Sequence, residues 1–328
     1  MPHTFTRRAL SAAALLATVT GFAPAAQAQT WPDKPIRLVV GGPAGGGVDF
    51  AARALAERLT ASLGQPVLVD NKPGAAGLIG AGDLLKSPRD GATFMVQLNA
   101  IASEIPHAVK VPFDPLKVLR PLAELSRFGL VMAANTQVPA NTLPEFVNHA
   151  KANKGKINYA SYSAGTLSHT LGVELNNLAG LDMVHIAYKG SPPALQDLIG
   201  GQVQVSFDGA GNVEPHVKAG KLKVFATTAP QRLPMFPGVP TFAELGYKDL
   251  TEVIWIGLWT TPDMPTAIQQ KMREATLKAL QDPKLREAYA RMGWAMGGNA
   301  TPEELSASLK TASDKQAATL QAIGFKPD

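Results

Sequence analysis

From Ile36 onward the apolar positions of the chain change period again and again. Ile36–Val40 (IRLVV) is a short β-branched run and predicts a strand. Phe50, Ala54, Leu55, Leu59 and Leu63 then fall near one face of a helix over Asp49–Leu63, with Gly64 as its stop. Val67–Asp70 reads as a second strand, Gly80–Leu85 as a short helix and Phe94–Gln97 as a third strand. Strands and helices in this alternation predict a mainly parallel sheet with helices on both faces.

The alternation restarts inside the chain. Phe128–Ala134 reads as a strand, Leu143–Asn153 as a helix and Lys156–Ser161 as a strand. A helix over Ser168–Leu178, a strand over Val184–Tyr188 and a helix over Pro193–Ile199 follow. Next come a strand over Val203–Phe207, a helix over Asn212–Ala219 and a strand over Leu222–Thr227. The last third changes character. Trp255–Trp259 is one more strand, and Pro265–Leu280, Pro283–Met292 and Pro302–Ile323 are helices that each open near a proline, a residue favoured in the first turn. Two α/β lobes are expected: residues 29–126 with 257–328, and residues 127–256. The chain crosses between them near Leu125–Gly129 and Val253–Gly257. Ligands of open α/β sheets bind outside the carboxyl ends of the strands, so two such lobes face each other across a hinged cleft.

The first residues stand apart from this pattern. Arg7 and Arg8 precede a small, apolar run from Ala9 to Ala26, and Ala26-Gln27-Ala28 supplies a small-residue cleavage site, so residues 1–28 read as a secretory signal. An anchor wants about 20 strongly apolar residues. This run is rich in Ala and Thr and contains Gly21 and Pro24, which argues for cleavage. The Arg7-Arg8 pair also fits a twin-arginine signal, and the sequence does not choose between the two export routes. The chain beyond it has no cysteine, hence no disulfide framework and no thiolate chemistry. The net charge of +5 includes the two leader arginines. The other basic residues are scattered and aromatics are sparse, which argues against nucleic acid.

Two stretches carry candidate chemistry. Gly41-Gly-Pro-Ala-Gly-Gly-Gly-Val-Asp49 joins a strand to a helix. It lacks the Lys-Ser/Thr of a phosphate loop, and Phe50 stands where a dinucleotide fingerprint needs its third glycine. What remains is a set of N–H groups at the positive end of a helix dipole, a generic anion site that a merely tight turn would also explain. Asp49 reads as the helix N-cap. The second stretch is Asn158-Tyr-Ala-Ser-Tyr-Ser-Ala-Gly-Thr-Leu-Ser-His169, again between strand and helix. Its hydroxyls at Ser161, Ser163, Thr166 and Ser168 can donate to a carboxylate, or Thr166 or Ser168 serves only as the cap. Ser163 also sits in an incomplete nucleophile elbow, with Asp208 and His216 as partners for a rival serine hydrolase, but no oxyanion loop accompanies it. Asp208 follows a strand. It reaches the cleft and accepts from a ligand, or it caps the next helix; the sequence favours neither. His107, His149, His169, His185 and His216 show no metal-ligand spacing, and neither a metal nor a cofactor is expected.

The chain resembles a known family in several places. Pro32–Val40, Gly45–Asp49, Leu63–Val67, Asp70–Gly77, Asp90-Gly91 and Val111–Pro115 are similar to the Bug family of extracytoplasmic solute receptors, which serve tripartite tricarboxylate transporters. The similarity continues through Asn158–Ser161, Tyr188–Gly190, Pro193–Gln202, Phe207-Asp208, Ala219–Leu222, Pro237–Thr241 and Thr301–Glu304. The resemblance implies a two-lobe periplasmic-binding fold of the Venus-flytrap kind (type II), with a cleft between the lobes. It also implies a small carboxylate ligand, no catalysis, and membrane permease subunits as partners of a periplasmic receptor; a monomer is expected. By the same resemblance the ligand loops are Gly45, Gly46, Gly47, Val48 and Asp49 in one lobe and Ser163, Ala164, Gly165, Thr166, Ser168 and His169 in the other; Asp208, read from its own place after a strand, is a candidate specificity contact. Gly41, Gly42, Pro43 and Ala44 stand where the family usually reads Pro-Phe-Pro-Pro, and Val48 stands for a threonine. Tyr162 and Leu167 stand where small or polar residues are common. A larger, partly apolar or aromatic carboxylate suits these departures. A ligand sensor for a two-component system would show the same sequence features as a transport receptor.

Overall fold

The computed structural model describes residues 31–327. The chain alternates as β1 (Ile36–Val40), α1 (Gly47–Leu63), β2 (Val67–Asn71), α2 (Leu78–Lys86) and β3 (Thr93–Leu98), followed by three one-turn helices, α3 (Ala100–Ser103), α4 (Ile105–Ala108) and α5 (Pro115–Val118). Then come β4 (Arg120–Phe128), β5 (Leu130–Asn135), α6 (Leu143–Ala152), β6 (Asn158–Ser161), α7 (Leu167–Ala179), β7 (Val184–Ala187), α8 (Ser191–Gly200), β8 (Val205–Gly209), α9 (Ala210–Lys218) and β9 (Leu222–Thr227). β10 (Ile254–Thr260), α10 (Thr266–Ala279), α11 (Pro283–Arg291), β11 (Ala295–Met296) and α12 (Pro302–Ala322) complete it. The secretory leader expected over residues 1–28 lies outside the described residues.

The strands form two sheets, ordered β11-β4-β10-β3-β1-β2 and β7-β6-β8-β5-β9. β1, β2 and β3 are parallel, and so are β6, β7 and β8. The expectation of mainly parallel sheets needs one correction. β10 runs against both of its main neighbours in the first sheet, and β5 against both of its neighbours in the second. Each is the first strand laid down after the chain changes sheet, so it enters from the opposite end. A second correction concerns the strand expected over Phe128–Ala134. It is the junction of two strands in different sheets, broken at Gly129. A Cβ on Gly129 would stand 2.4 Å from the Ala229 backbone nitrogen, so only glycine lets the chain pass there.

The return path runs alongside. The Thr228 N–H donates to Leu130 O at 2.9 Å and the Glu252 N–H to Thr228 O at 3.0 Å, while Ile254 pairs with Phe128 across β10 and β4. Thr228 thus ties both connections together.

Each sheet has its own apolar core. Ile36, Leu38, Leu55, Leu59, Phe94, Leu258 and Tyr289 pack on one face of the first sheet, and Val39, Met95 and Trp259 on the other. Met132, Phe146, Tyr159, Phe207, Phe225 and Phe242 centre the second.

α12 begins on the first sheet, with Leu305 and Leu309 beside Trp259. It ends on α7, where the Gln316 amide donates to Gly165 O at 2.6 Å and Lys315 pairs with Glu174 at 3.2 Å. Its start is set by a capping box. Glu304 N–H donates to the Thr301 hydroxyl, and the Glu304 carboxylate accepts from Thr301 N–H. Thr301→Ala is expected to cost about 1 kcal/mol in urea unfolding, and an unchanged midpoint would show that the cap does not hold this helix.

Candidate functional site

The carboxyl ends of the parallel strands in the two sheets converge on one cavity of about 520 Å³, within the usual range for a small-molecule site. Gly41, Gly42 and Pro43 follow β1, Gly74, Ala76 and Gly77 follow β2, and Gln97 to Ile105 close β3. Opposite them, Tyr162, Ser163 and Thr166 follow β6, Ser191 follows β7, and Asp208 and Asn212 bracket the end of β8. Phe128, Leu130 and Ile254, at the crossings between the sheets, form the back wall. None of the described residues that line the cavity is Lys, Arg or His.

The first-sheet side offers hydrogen-bond donors. α1 begins at Gly47 with Gly46 as its N-cap, and no side chain caps it. Asp49 is therefore not the N-cap expected from the sequence. It is the third helical residue, and its Oδ2 reaches back to accept from Gly45 N–H and from Arg53 Nε, both at 2.9 Å. An acid at that position suits the helix dipole, and here it is spent on holding the turn. Burial opposes ionisation of Asp49, but Arg53 and the Gly45 amide outweigh it and hold its carboxyl below the usual range. The N–H groups of Gly47 and Val48 find no acceptor among the described residues. Val48 lines the cavity; Gly45, Gly46, Gly47 and Asp49 lie behind it, with Gly47 against the Trp294 ring.

Gln97 is the second donor. Its Oε1 accepts from the Leu98 N–H at 2.8 Å, which fixes the amide so that Nε2 faces the other way. That nitrogen fits between two glycines, since a Cβ on Gly41 or Gly77 would approach it to 2.2 or 2.1 Å. The loop that carries Gly77 is strained. Gly74, Ala75, Ala76 and Gly77 all have positive φ, at 121°, 46°, 54° and 95°. Left-handed alanines are costly and persist where the surroundings impose them, most often at functional sites.

The second-sheet side is rich in acceptors. Asp208 is buried, and its Oδ1 accepts from Gly209 N–H (2.6 Å), Ser191 Oγ (2.9 Å) and Asn212 Nδ2 (2.9 Å), while its Oδ2 has no partner. Burial raises its pKa against the pull of these three donors. Ser163 and Thr166 line the cavity, and the Thr166 hydroxyl donates to Ser163 O at 2.7 Å. Ala164, Gly165, Ser168 and His169 do not line it. Ser168 Oγ donates to Phe207 O at 2.6 Å, and His169 Nδ1 accepts from the Gly165 N–H at 3.1 Å. Gly165, at φ +74°, is pressed to Ala108 of α4, where a Cβ would stand 2.7 Å from that residue's own Cβ. The His169 ring stacks on His185 at 3.7 Å, and burial pushes their pKa values down to about 4 and about 3, so both are neutral.

The hydrolase constellation does not assemble. Ser163 Oγ donates weakly to Ala164 O at 3.4 Å, Asp208 is engaged with Ser191 and Asn212, and His216 lines a separate hollow on α9.

Gln97, Glu104, Ser191, Asn212 and the Gly74–Gly77 loop also line the cavity, although no motif in the sequence marks them as site residues. All but Glu104 sit at or just after the ends of parallel strands, a positional signal that applies to every such strand and not only to glycine-rich ones. Glu104 lies between two one-turn helices and carries no such signal. It is fully buried, its Oε2 accepts from the Leu167 N–H across the cleft at 2.8 Å, and burial pushes its pKa up to about 7.

Comparison with known proteins agrees with this architecture. Residues 51–324 match the family model described as "Tripartite tricarboxylate transporter family receptor". Protein BugT of Bordetella pertussis is 32% identical, with 97% of this chain and 98% of that protein aligned. The structure of the periplasmic binding protein BugD superposes with a TM-score of 0.74 at 31% identity, over 91% of this chain and 100% of the other. MatC from Rhodopseudomonas palustris, solved with bound malate, superposes with a TM-score of 0.72 at 27% identity, over 88% of this chain and 100% of the other. The fold is thus the two-lobe periplasmic-binding fold. The chain belongs to the receptor family of the tripartite tricarboxylate transporters, whose members are periplasmic solute-binding proteins and not enzymes.

Proposed function

We propose that this receptor works in the periplasm after loss of residues 1–28, as a monomer. It captures a small carboxylate between its lobes and hands it to the permease subunits of a tripartite transporter. The observation that carries this reading is the paired set of strand-end loops around one cavity. Donors without formal charge face it from the first lobe, and Leu98, Ile101, Ile105, Phe128, Leu130 and Ile254 give it an apolar body. Malate bound to MatC points to the same ligand chemistry.

The lobes comprise residues 29–126 with 257–328, and residues 127–256. They move about the crossings at Gly129 and Val253, and closure on the ligand makes the form that the membrane subunits recognise. One ligand carboxylate is held by the Val48 N–H at the start of α1 and by Gln97 Nε2, with Gly47 behind Val48 in the same turn. Neutral donors hold an anion firmly enough to capture it and loosely enough to release it. Ser163, Thr166 and Asp208 face the other end of the ligand. Gly45, Gly46 and Asp49 shape the first loop, and Ala164, Gly165, Ser168 and His169 the second. The apolar walls suit an aromatic or longer aliphatic carboxylate over a C4 acid.

A thermal-shift panel of aliphatic and aromatic mono- and dicarboxylates tests this. At a hundredfold excess over Kd, a specific ligand adds about 2.7 kcal/mol of stability, and a clear rise in Tm is expected for at least one carboxylate with an apolar body. A panel in which no carboxylate moves the midpoint would refute the reading.

A further inference from the structure

The second lobe presents a helix N-terminus to the cleft, which is where a second ligand carboxylate would bind. In this chain the place is taken. Glu104, carried by the first lobe, puts Oε2 at 2.8 Å from the Leu167 nitrogen, the first amide of α7. Two further amides of that loop are also engaged: Gly165 N–H donates to His169 Nδ1, and His169 N–H donates to Thr166 O. Asp208 stands on the same cavity wall with its Oδ2 buried and unpartnered. Tyr162 feels both carboxylates. Burial raises its pKa well above the ordinary value, and Glu104 and Asp208 raise it further. The wall therefore holds two carboxylates, and none of the described residues lining the cavity is a cation to balance them.

We propose, resting on the receptor reading above, that Glu104 and Asp208 restrict the ligand to one carboxylate and require an N–H donor, such as a carboxamide, at its far end. The carboxylate goes to the α1 side. The donor goes to Asp208 Oδ2, supplying the partner that oxygen lacks. A dicarboxylate brings its second charge against two like charges in a buried wall where Glu104 already takes the first helix amide, and a site rejects a ligand most strongly by leaving charges unpaired.

Isothermal titration at about pH 8, where Glu104 is ionised, reads this directly with three pairs of equal-length probes: glutarate and glutaramate, adipate and adipamate, terephthalate and 4-carbamoylbenzoate. In at least one pair the half-amide is expected to bind roughly tenfold tighter than the diacid, or better. Glu104→Gln is expected to narrow that ratio by admitting the diacid, and Asp208→Asn to narrow it by weakening the half-amide. A diacid that binds the unmodified protein as tightly as its half-amide overturns the proposal. So does a ratio unchanged in both variants, and so does binding of none of the six. The receptor reading itself is judged separately, by the wider carboxylate panel.

Discussion

Glu104→Gln is expected to stabilise the protein by on the order of 3 kcal/mol at about pH 8 and by little near pH 4.5. The glutamate sits fully buried between α3 and α4, and burial is the main cause that pushes its pKa up to about 7 from an ordinary value of 4.5. The Leu167 N–H pulls it down and the Glu252 carboxylate pushes it up, both by less than burial does. Between pH 4.5 and 7 the folded state binds more protons than the unfolded chain. Stability therefore falls as pH rises through that window, and the full cost is present above it. Glutamine keeps an oxygen for the Leu167 N–H and has no charge to desolvate. His169 and His185 work the other way. Their lowered pKa values make the fold lose stability as pH falls below about 6.5. They are the same in both proteins and cancel in the difference. Urea unfolding of the two proteins at several pH values checks this, and Tm at pH 8 should differ by roughly 5–10 °C. A gain that stays constant down to acid pH would mean that charge is not the cause.

Gly77→Ala is expected to cost on the order of 2–3 kcal/mol of stability and to weaken carboxylate binding by roughly tenfold or more. Two causes add. Gly77 has φ +95°, a conformation that alanine adopts only under strain. Its new methyl would also stand 2.1 Å from Gln97 Nε2 and 3.2 Å from the Gln97 Cδ, so the amide must leave its place in the cavity wall. The neighbouring Ala75 and Ala76 already carry positive φ, so the loop has little room to share the strain. Calorimetric titration with the tightest carboxylate from the thermal-shift panel, alongside urea unfolding, separates the effects. If stability falls and affinity holds, Gln97 is part of the scaffold and not a ligand donor.

Much of the architecture is legible in the sequence alone. α1 was expected from Asp49 and begins at Gly47, and Gly64 ends it in the left-handed conformation that a glycine stop implies. The three C-terminal helices begin at or next to Pro265, Pro283 and Pro302, as their sequences suggest. β4 escaped notice. Pro121, Glu124 and Arg127 interrupt its apolar pattern, and only the fold shows that Glu124 is buried while Arg127 neutralises it from three residues on. Among the residues that line the cavity, Val48, Ser163, Thr166 and Asp208 stand out in the sequence because each lies in a glycine- or hydroxyl-rich loop or at a strand end.

Local sequence suffices for most of the elements, the two strand-end loops rich in glycine and hydroxyls, the lack of thiol chemistry and the family. These rest on local properties: periodicity, turn residues and short motifs. Only the tertiary structure decided which of those groups remain free. Asp49 Oδ2 and His169 Nδ1 are consumed by their own loops, whereas Asp208, which lines the cavity, keeps Oδ2 without a partner. Glu104 meets the α7 amide from 63 residues away, and burial there, not neighbouring sequence, sets its charge. A hydrogen bond between lobes and the dielectric around a carboxylate are products of packing, and no local pattern encodes them.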